Sequence, residues 1–183
     1  MNKIKKSLLA LMVTLLVFGM TGCGGGHANP TGIVKSLIEN YFEGKEKKIR
    51  DCYGKKDDAS EDLQKEIQAM ISYIKAHEAA KLKIVDCKAL SETDSYTYVY
   101  ITYNLVMEDE KEFPCVGTYM VKEVDRKYYV VPTGEVTAEM SAQAITDYEE
   151  FMTTDAYKEY RRAYDTFIKE HPGYEEKIAG KLG

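Results

Sequence analysis

"SYTYVYITYNLVM" (Ser95–Met107) is the stretch that decides the fold of this chain. It is rich in β-branched and aromatic residues, which favour extended backbone. Alternate positions differ in character, as expected of a β-strand whose two faces meet different surroundings. One face carries Val99, Ile101, Tyr103, Leu105 and Met107, and the other carries Tyr96, Tyr98, Tyr100, Thr102 and Asn104.

Three more segments with strand character surround this one. "KLKIVDCKAL" (81–90) precedes it, and "FPCVGTYMVKEV" (113–124) follows the acidic turn "EDEKE". A tight hairpin then leads into "DRKYYVVP" (125–132). Short connections join neighbouring antiparallel strands. The chain therefore predicts a four-stranded antiparallel meander.

Helical patterns lie on both sides of the predicted sheet. Asn29-Pro30 begins a helix that Gly44 ends, because Asn caps, Pro fits the first turn and Gly fits the C-cap. A short helix follows within 45–54, and Asp58 with Glu61 predicts the cap of a third. Two more helices span about 136–152 and 154–170, and a short polar tail follows "HPG" (171–173). The order predicts an α+β fold: N-terminal helices packed on a curved four-stranded antiparallel sheet, with a C-terminal helical extension.

The first residues have the layout of a secretory signal. Three lysines lie within the first six residues, and the apolar run Leu8–Phe18 is shorter than the roughly 20 residues of a membrane span. Met20-Thr21-Gly22-Cys23 then resembles the lipobox of bacterial lipoproteins, with Met20 where leucine is usual. That resemblance implies cleavage between Gly22 and Cys23 and a diacylglycerol on the Cys23 thiol. The alternative is a soluble secreted protein with a spare thiol.

These features predict a division of the chain into four parts. Residues 1–22 are the signal peptide, and 23–29 form a flexible glycine-rich tether in which His27 is solvated. The α+β domain covers 30–134, and the helical extension covers 135–183. The expected location is the outer face of a bacterial cell membrane, with the lipid on Cys23 as the anchor.

The order of elements also resembles a known superfamily. "VKSLIENYFEGKEKKIRDCYG" (34–54) and the predicted strands are similar to the nuclear transport factor 2-like (cystatin-like) superfamily, in particular to uncharacterised members found in Gram-positive bacterial lipoproteins. The resemblance covers about 30–132, and this chain has Tyr128 or Tyr129 where those members usually have Trp. It implies a bent sheet that encloses a conical pocket. Some members are isomerases, dehydratases or polyketide cyclases with an Asp or His, often beside a Tyr, deep in the cone.

The residues that a pocket of that kind would use are few. The candidates are Tyr41, Asp86, Tyr103 and Tyr119. Asp86 is the best candidate for a buried carboxylate, and the alternative is an exposed Asp at an edge or a bulge. His77, at the end of the third helix, fits an interaction with the helix dipole. The chain shows no nucleophile motif, phosphate loop or zinc-type spacing, so we predict neither a cofactor nor a metal ion.

The net charge of the chain narrows the classes of partner. Cleavage before Cys23 would remove three of 25 basic residues and none of 30 acidic ones, changing the net charge from −5 to about −8. A body this acidic argues against nucleic acid as a partner.

Cys87 and Cys115 fall on the first and third strands, about 9–10 Å apart. A disulfide needs Cα atoms within about 7 Å, so we predict none.

The three tyrosines Tyr96, Tyr98 and Tyr100 form an amphipathic patch with two explanations. The patch is either an interface for a partner or a homodimer, or it is covered by the C-terminal helices. The stripe that would cover it consists of Tyr157, Tyr160 and Tyr164.

Taken together, the sequence predicts a lipid-anchored, extracytoplasmic, non-catalytic domain that binds a partner protein or a small ligand. The alternatives are a small-molecule isomerase or hydrolase-type enzyme that uses the same pocket, and a purely structural envelope protein.

Overall fold

The computed structural model describes residues 26–183, so Gly22 and Cys23 lie outside the described part of the chain. Three helices come first, four strands follow and three helices end the chain, which confirms the predicted α+β class. The helices are α1 (Pro30–Glu43), α2 (Glu46–Cys52), α3 (Glu61–Ala76), α4 (Ala138–Thr153), α5 (Asp155–Glu170) and α6 (Tyr174–Leu182). The strands are β1 (Lys81–Glu92), β2 (Thr97–Val106), β3 (Glu112–Val124) and β4 (Lys127–Val130).

The sheet is an antiparallel meander in the order β1-β2-β3-β4. Two register shifts interrupt β1, between Ile84 and Asp86 and between Ala89 and Ser91. Shifts of this kind bend a strand and strengthen its twist. β4 pairs only with residues 121–124 of β3, so the first part of β3 has no strand partner on that side within the described chain.

One face of the sheet, the core face, packs on the N-terminal helices. Val99, Ile101 and Leu105 of β2 are fully buried there with Ile33 and Leu37 of α1. α1 forms where predicted, because the Asn29 side chain accepts a hydrogen bond from the Gly32 N–H at 2.7 Å and Gly44 ends it in the left-handed conformation (φ 65°).

The cap of α3 differs from the prediction. Ser60, not Asp58, lies at the N-cap, and its hydroxyl accepts a hydrogen bond from the Leu63 N–H at 3.3 Å. Ser and Asp cap equally well, so local chemistry alone did not decide between two positions two residues apart.

The opposite face, the outer face, lies under α4. Tyr98 clusters with Met120 and Val131 of the sheet, and Val136, Met140 and Ala144 pack on them. Further along, Phe151 of α4 is almost fully buried, with its ring centroid 4.4 Å from that of Tyr100. α4 therefore covers the tyrosine patch of β2.

This packing decides between the two explanations of the patch. Tyr98 and Tyr100 are 6% and 5% exposed, and Tyr96 is half-buried beside them, so the patch is internal rather than an open interface. The predicted cover was wrong in detail. Of the predicted stripe, only Tyr157 lies near the helix that covers the patch, with its ring centroid 5.4 Å from that of Phe151 of α4. Tyr160 and Tyr164 instead line a cavity described below.

The chain after "HPG" is a helix, where the sequence predicted a polar tail. Ile178 of α6 is buried, and the Tyr174 ring packs against Phe113 and Phe167 at 5.2 and 4.9 Å. Gly173 allows the turn into α6 with a φ of 83°. Tyr174, Ile178 and Leu182 are four residues apart, so they lie on one side of α6.

The described part of the predicted tether is folded onto the body. Gly26–Ala28 is a 3-10 turn, and the His27 Nδ1 lies 2.8 Å from the Tyr128 carbonyl oxygen. The His27 ring also contacts Tyr129 at 4.7 Å, and its Nε2 is 3.6 Å from an Asp51 carboxylate oxygen. The prediction of a solvated His27 is therefore wrong.

Within residues 26–183, no helix is long and apolar enough to cross a membrane.

Candidate ligand-binding site

A cavity of about 560 Å³ lies between the core face of the sheet and the helices α3, α5 and α6. Its lining is mainly aromatic and aliphatic, with Met70, Phe113, Ile178 and Leu182 among the apolar residues. Five tyrosines contribute to the lining: Tyr73, Tyr103, Tyr160, Tyr164 and Tyr174.

Simple periodicities bring these side chains to one place. Tyr103 belongs to the core-face set of β2 and lies opposite Cys115 of β3. Tyr73 lies on α3 and His77, four residues later, is the C-cap of that helix. Tyr160 and Tyr164 are likewise four residues apart on α5, so each pair projects to one side. Tyr174 begins α6.

Phe113 is the centre of an aromatic wall that it forms with His77, Tyr164 and Phe167. Its ring lies 4.5 Å from His77, 5.9 Å from Tyr164 and 5.2 Å from Phe167, measured between centroids. The contacts with Tyr164 and Phe167 are edge-to-face, a geometry that favours aromatic pairs. The wall therefore fixes α5 relative to the sheet.

His77 is a deeply buried polar group of the lining, at 4% exposure. Its Nδ1 is hydrogen-bonded with the Tyr174 hydroxyl at 2.9 Å, and its Nε2 is buried without a partner among the described residues. Burial, helped by the nearby charge of Lys181, lowers the pKa of His77 to about 4. The imidazole is therefore neutral at pH 7.

The tyrosines are also neutral. Burial holds the pKa of Tyr103 well above its usual range and raises that of Tyr174 to about 12. The Glu175 carboxylate accepts a hydrogen bond from the Tyr164 hydroxyl, which together with burial raises the pKa of Tyr164 to about 12. The interior thus offers neutral phenols rather than groups that exchange protons near pH 7.

The charged groups of the lining are Arg161 and Glu175. The Arg161 guanidinium donates a hydrogen bond to the Asp165 carboxylate at 2.7 Å, and its Cζ lies 5.3 Å from the centroid of the Tyr164 ring. Both Arg161 and Glu175 are exposed, so they mark the open side of the cavity.

Of the four predicted pocket residues, the structure places only Tyr103 in this cavity. Tyr41 is 1% exposed in the core, and its hydroxyl is 2.9 Å from that of Tyr53. Tyr119 is half-buried and packs along the sheet beside Gly117. Tyr41 belongs to α1 itself, and Tyr119 of β3 packs against the core that contains α1. Sequence alternation therefore placed Tyr119 on the correct face of the sheet but not at the cavity.

Asp86 does not reach the cavity either. It lies at a bulge of β1 and accepts hydrogen bonds from the Lys88 ammonium at 2.8 Å and the Tyr100 hydroxyl at 2.7 Å. Burial by itself raises the pKa of Asp86, but these hydrogen bonds outweigh it and hold that pKa below its usual range. Tyr100 belongs to the outer face, so the alternative interpretation, an Asp at a bulge, describes its position.

Sequence reasoning missed most of the lining. Tyr160 and Tyr164 were assigned to the wrong face of the sheet, and Tyr174 to a tail. The four-residue spacing of Tyr174, Ile178 and Leu182 was the available signal, because it is typical of a helix with one apolar side.

The described cysteines Cys52, Cys87 and Cys115 carry free thiols. Burial raises the pKa of Cys87 to about 11 and that of Cys115, which lines the cavity, to about 12. A thiol with so high a pKa is a poor nucleophile at neutral pH.

Comparisons of the chain with protein-family models, curated proteins and solved structures found no match. The likeness to the nuclear transport factor 2-like superfamily and to the lipobox therefore stays a prediction, and what the chain does is inferred from its cavity.

The burial of His77 predicts a pH-dependent stability. The folded state keeps the imidazole neutral down to about pH 4, whereas the unfolded chain takes up a proton near pH 6.5. His77 therefore favours unfolding as the pH falls through this window, by about 3 kcal/mol. The measurement is the free energy of unfolding in urea at several pH values between 7 and 4. It compares the wild type with His77→Asn and with the control His171→Asn. His77→Asn should lose that part of the slope, and equal slopes in all three proteins would contradict the assignment.

Proposed function

We propose that this chain is a non-catalytic domain that binds a small organic ligand and is held at the outer face of a bacterial membrane by a lipid on Cys23. One observation carries the ligand-binding part: the aromatic cavity between the sheet and α3, α5 and α6. The signal-like first residues and Met20–Cys23 support the location.

The size and lining of the cavity support a small ligand. A volume of about 560 Å³ lies within the range of small-molecule sites, which are concave, mostly apolar and supplied with a few polar groups. Here the polar groups are phenol hydroxyls, the His77 ring and two charges at the opening.

The proton chemistry of the lining supports binding over catalysis. A general acid or base works best with a pKa near the operating pH. The phenols and the Cys115 thiol lie far above neutrality and His77 lies far below it. Asp86, the carboxylate that the enzyme alternative would use, is on the outer side of the sheet beside Tyr100.

Filling the cavity tests this proposal. Ala179 of α6 lines it, so Ala179→Phe should occupy part of the space and weaken binding of the neutral fluorescent probe N-phenyl-1-naphthylamine by about tenfold or more. Ala163 of α5 is exposed, as Ala179 is, but lies outside the lining, so Ala163→Phe is the matched control and should bind the probe as the wild type does. The measurement is probe fluorescence during titration of the full-length chain.

Two results would contradict the proposal. One is equal binding of the probe to Ala179→Phe and the wild type, which would place the probe elsewhere. The other is no binding of the probe to the wild type at all. Circular dichroism of each variant shows that the fold is kept.

A further inference from the structure

The rings of the cavity are suited to a positive charge. The face of an aromatic ring is electron-rich and attracts a cation within about 6 Å of its centroid. Five tyrosines line the cavity, and the ring of one of them, Tyr164, already has a cation nearby. The Arg161 Cζ lies 5.3 Å from the Tyr164 centroid.

Of the two charged residues in the lining, Arg161 has an ion-pair partner and Glu175 has none among the described residues. The Arg161 charge is offset by Asp165 at 2.7 Å, and the nearby Lys181 is offset by Glu78 at 3.0 Å. Glu175 makes no ion pair with any described residue. Its carboxylate accepts a hydrogen bond from the uncharged Tyr164 hydroxyl, so the negative charge stays beside the rings.

We infer that the cavity binds an organic cation of the quaternary ammonium type, with its charged group against the tyrosine rings and beside Glu175. This rests on the proposed function of the cavity as a ligand site and names the class of the ligand.

A quaternary ammonium fits this lining better than a primary amine or a metal ion does. A primary ammonium carries three N–H donors and is held best where several strong acceptors converge, whereas Glu175 is the one carboxylate of this lining. A metal ion needs several oxygen, nitrogen or sulfur ligands, and the described residues contain no cluster of three His, Cys, Asp or Glu side chains that could hold one. A quaternary ammonium has no N–H group and gains mainly from ring faces and one carboxylate.

The experiment compares two compounds of nearly the same shape. Choline and its neutral carbon analogue 3,3-dimethylbutan-1-ol are titrated into the full-length protein by isothermal calorimetry. We expect choline to bind at least about tenfold more tightly, because only choline carries the charge that the rings and Glu175 attract.

Neighbouring residues of the same type provide matched controls. Glu175→Gln keeps an acceptor for Tyr164 and removes the charge, so choline should bind about fivefold or more weakly, while Glu176→Gln, outside the lining, should change nothing. Arg161→Gln removes a like charge and frees one ring face, so choline should bind more tightly. Arg162→Gln, also outside the lining, is its control.

Three outcomes would overturn the inference: no binding of choline, equal affinity for choline and the alcohol, or no effect of Glu175→Gln. Tighter binding in Glu175→Gln together with weaker binding in Arg161→Gln would overturn it as well, since that pattern indicates an anionic ligand. Each result leaves the proposed function standing if Ala179→Phe still blocks the fluorescent probe. Failure of the probe experiment counts against the proposed function instead.

Discussion

Tyr98→Asp is expected to unfold the domain. Tyr98 is 6% exposed between the outer face of the sheet and α4, where it packs with Met120 and Val131. Burial, with a smaller contribution from Asp147, already raises the pKa of the tyrosine. A carboxylate at this position would lie in apolar surroundings and near a second acid. The cost is about 3 kcal/mol or more, a large part of the stability of a domain of this size.

Two control variants separate the causes of that loss. Tyr98→Phe keeps the ring and removes the hydroxyl, which donates a hydrogen bond to the Thr118 hydroxyl at 2.9 Å, so it should cost only about 1 kcal/mol. Val85→Asp places the same new charge on a strand position that is 56% exposed, so it should leave the free energy of unfolding nearly unchanged.

Urea unfolding followed by circular dichroism measures all three variants. If Tyr98→Asp stayed folded and instead lost a partner or a dimer contact, the patch would be an interface and its burial under α4 would be wrong. Unfolding by both aspartate variants alike would mean that charge on the sheet, rather than burial of Tyr98, is the cause.

Cys23→Ser is expected to abolish attachment of lipid completely. If Met20–Cys23 acts as a lipobox, the Cys23 thiol carries the diacylglycerol, and a serine hydroxyl does not replace that thiol. A stable anchor needs two or more acyl chains, so the wild type should hold firmly to the membrane. The measurement is incorporation of labelled palmitate into the full-length chain in a bacterial host, together with the intact mass of the product.

Cys52→Ser is the matched control for that experiment. Cys52 is a buried free thiol within the folded body, so its replacement should leave the palmitate label and the mass of the lipid unchanged. If the wild-type product lacked the palmitate label and kept a free thiol at Cys23, the alternative, a soluble secreted protein, would be favoured.

The cavity depends on the C-terminal helices for much of its wall. Tyr160 and Tyr164 come from α5, and Tyr174 and Ile178 from α6. Polar contacts that hold α6 include the bond between His77 and Tyr174 and the bond from the Lys181 ammonium to the Ala76 carbonyl oxygen at 2.8 Å. The segment after 135, predicted as an extension outside the superfamily resemblance, is thus part of the candidate site.

The sequence by itself determined the first five helices, the four strands and their order, but not α6. The alternation in Ser95–Met107 and the caps at Asn29 and Gly44 act between residues a few positions apart, so local chemistry is enough to predict them. The same local rules gave the two faces of β2 correctly. They did not separate Ser60 from Asp58 as the cap of α3, because either residue type can accept a hydrogen bond from an N–H group of a first helical turn.

Only the tertiary structure decided which helix covers which face. A stripe such as Tyr157, Tyr160 and Tyr164 needs an apolar surface, and both faces of β2 offer one, so periodicity cannot choose between them. Packing chose α4 for the outer face through Phe151, and left Tyr160 and Tyr164 free to join Tyr103 around the cavity. The cavity therefore depends on contacts between residues far apart in the chain, whose free energies depend on shape and burial that no local pattern records.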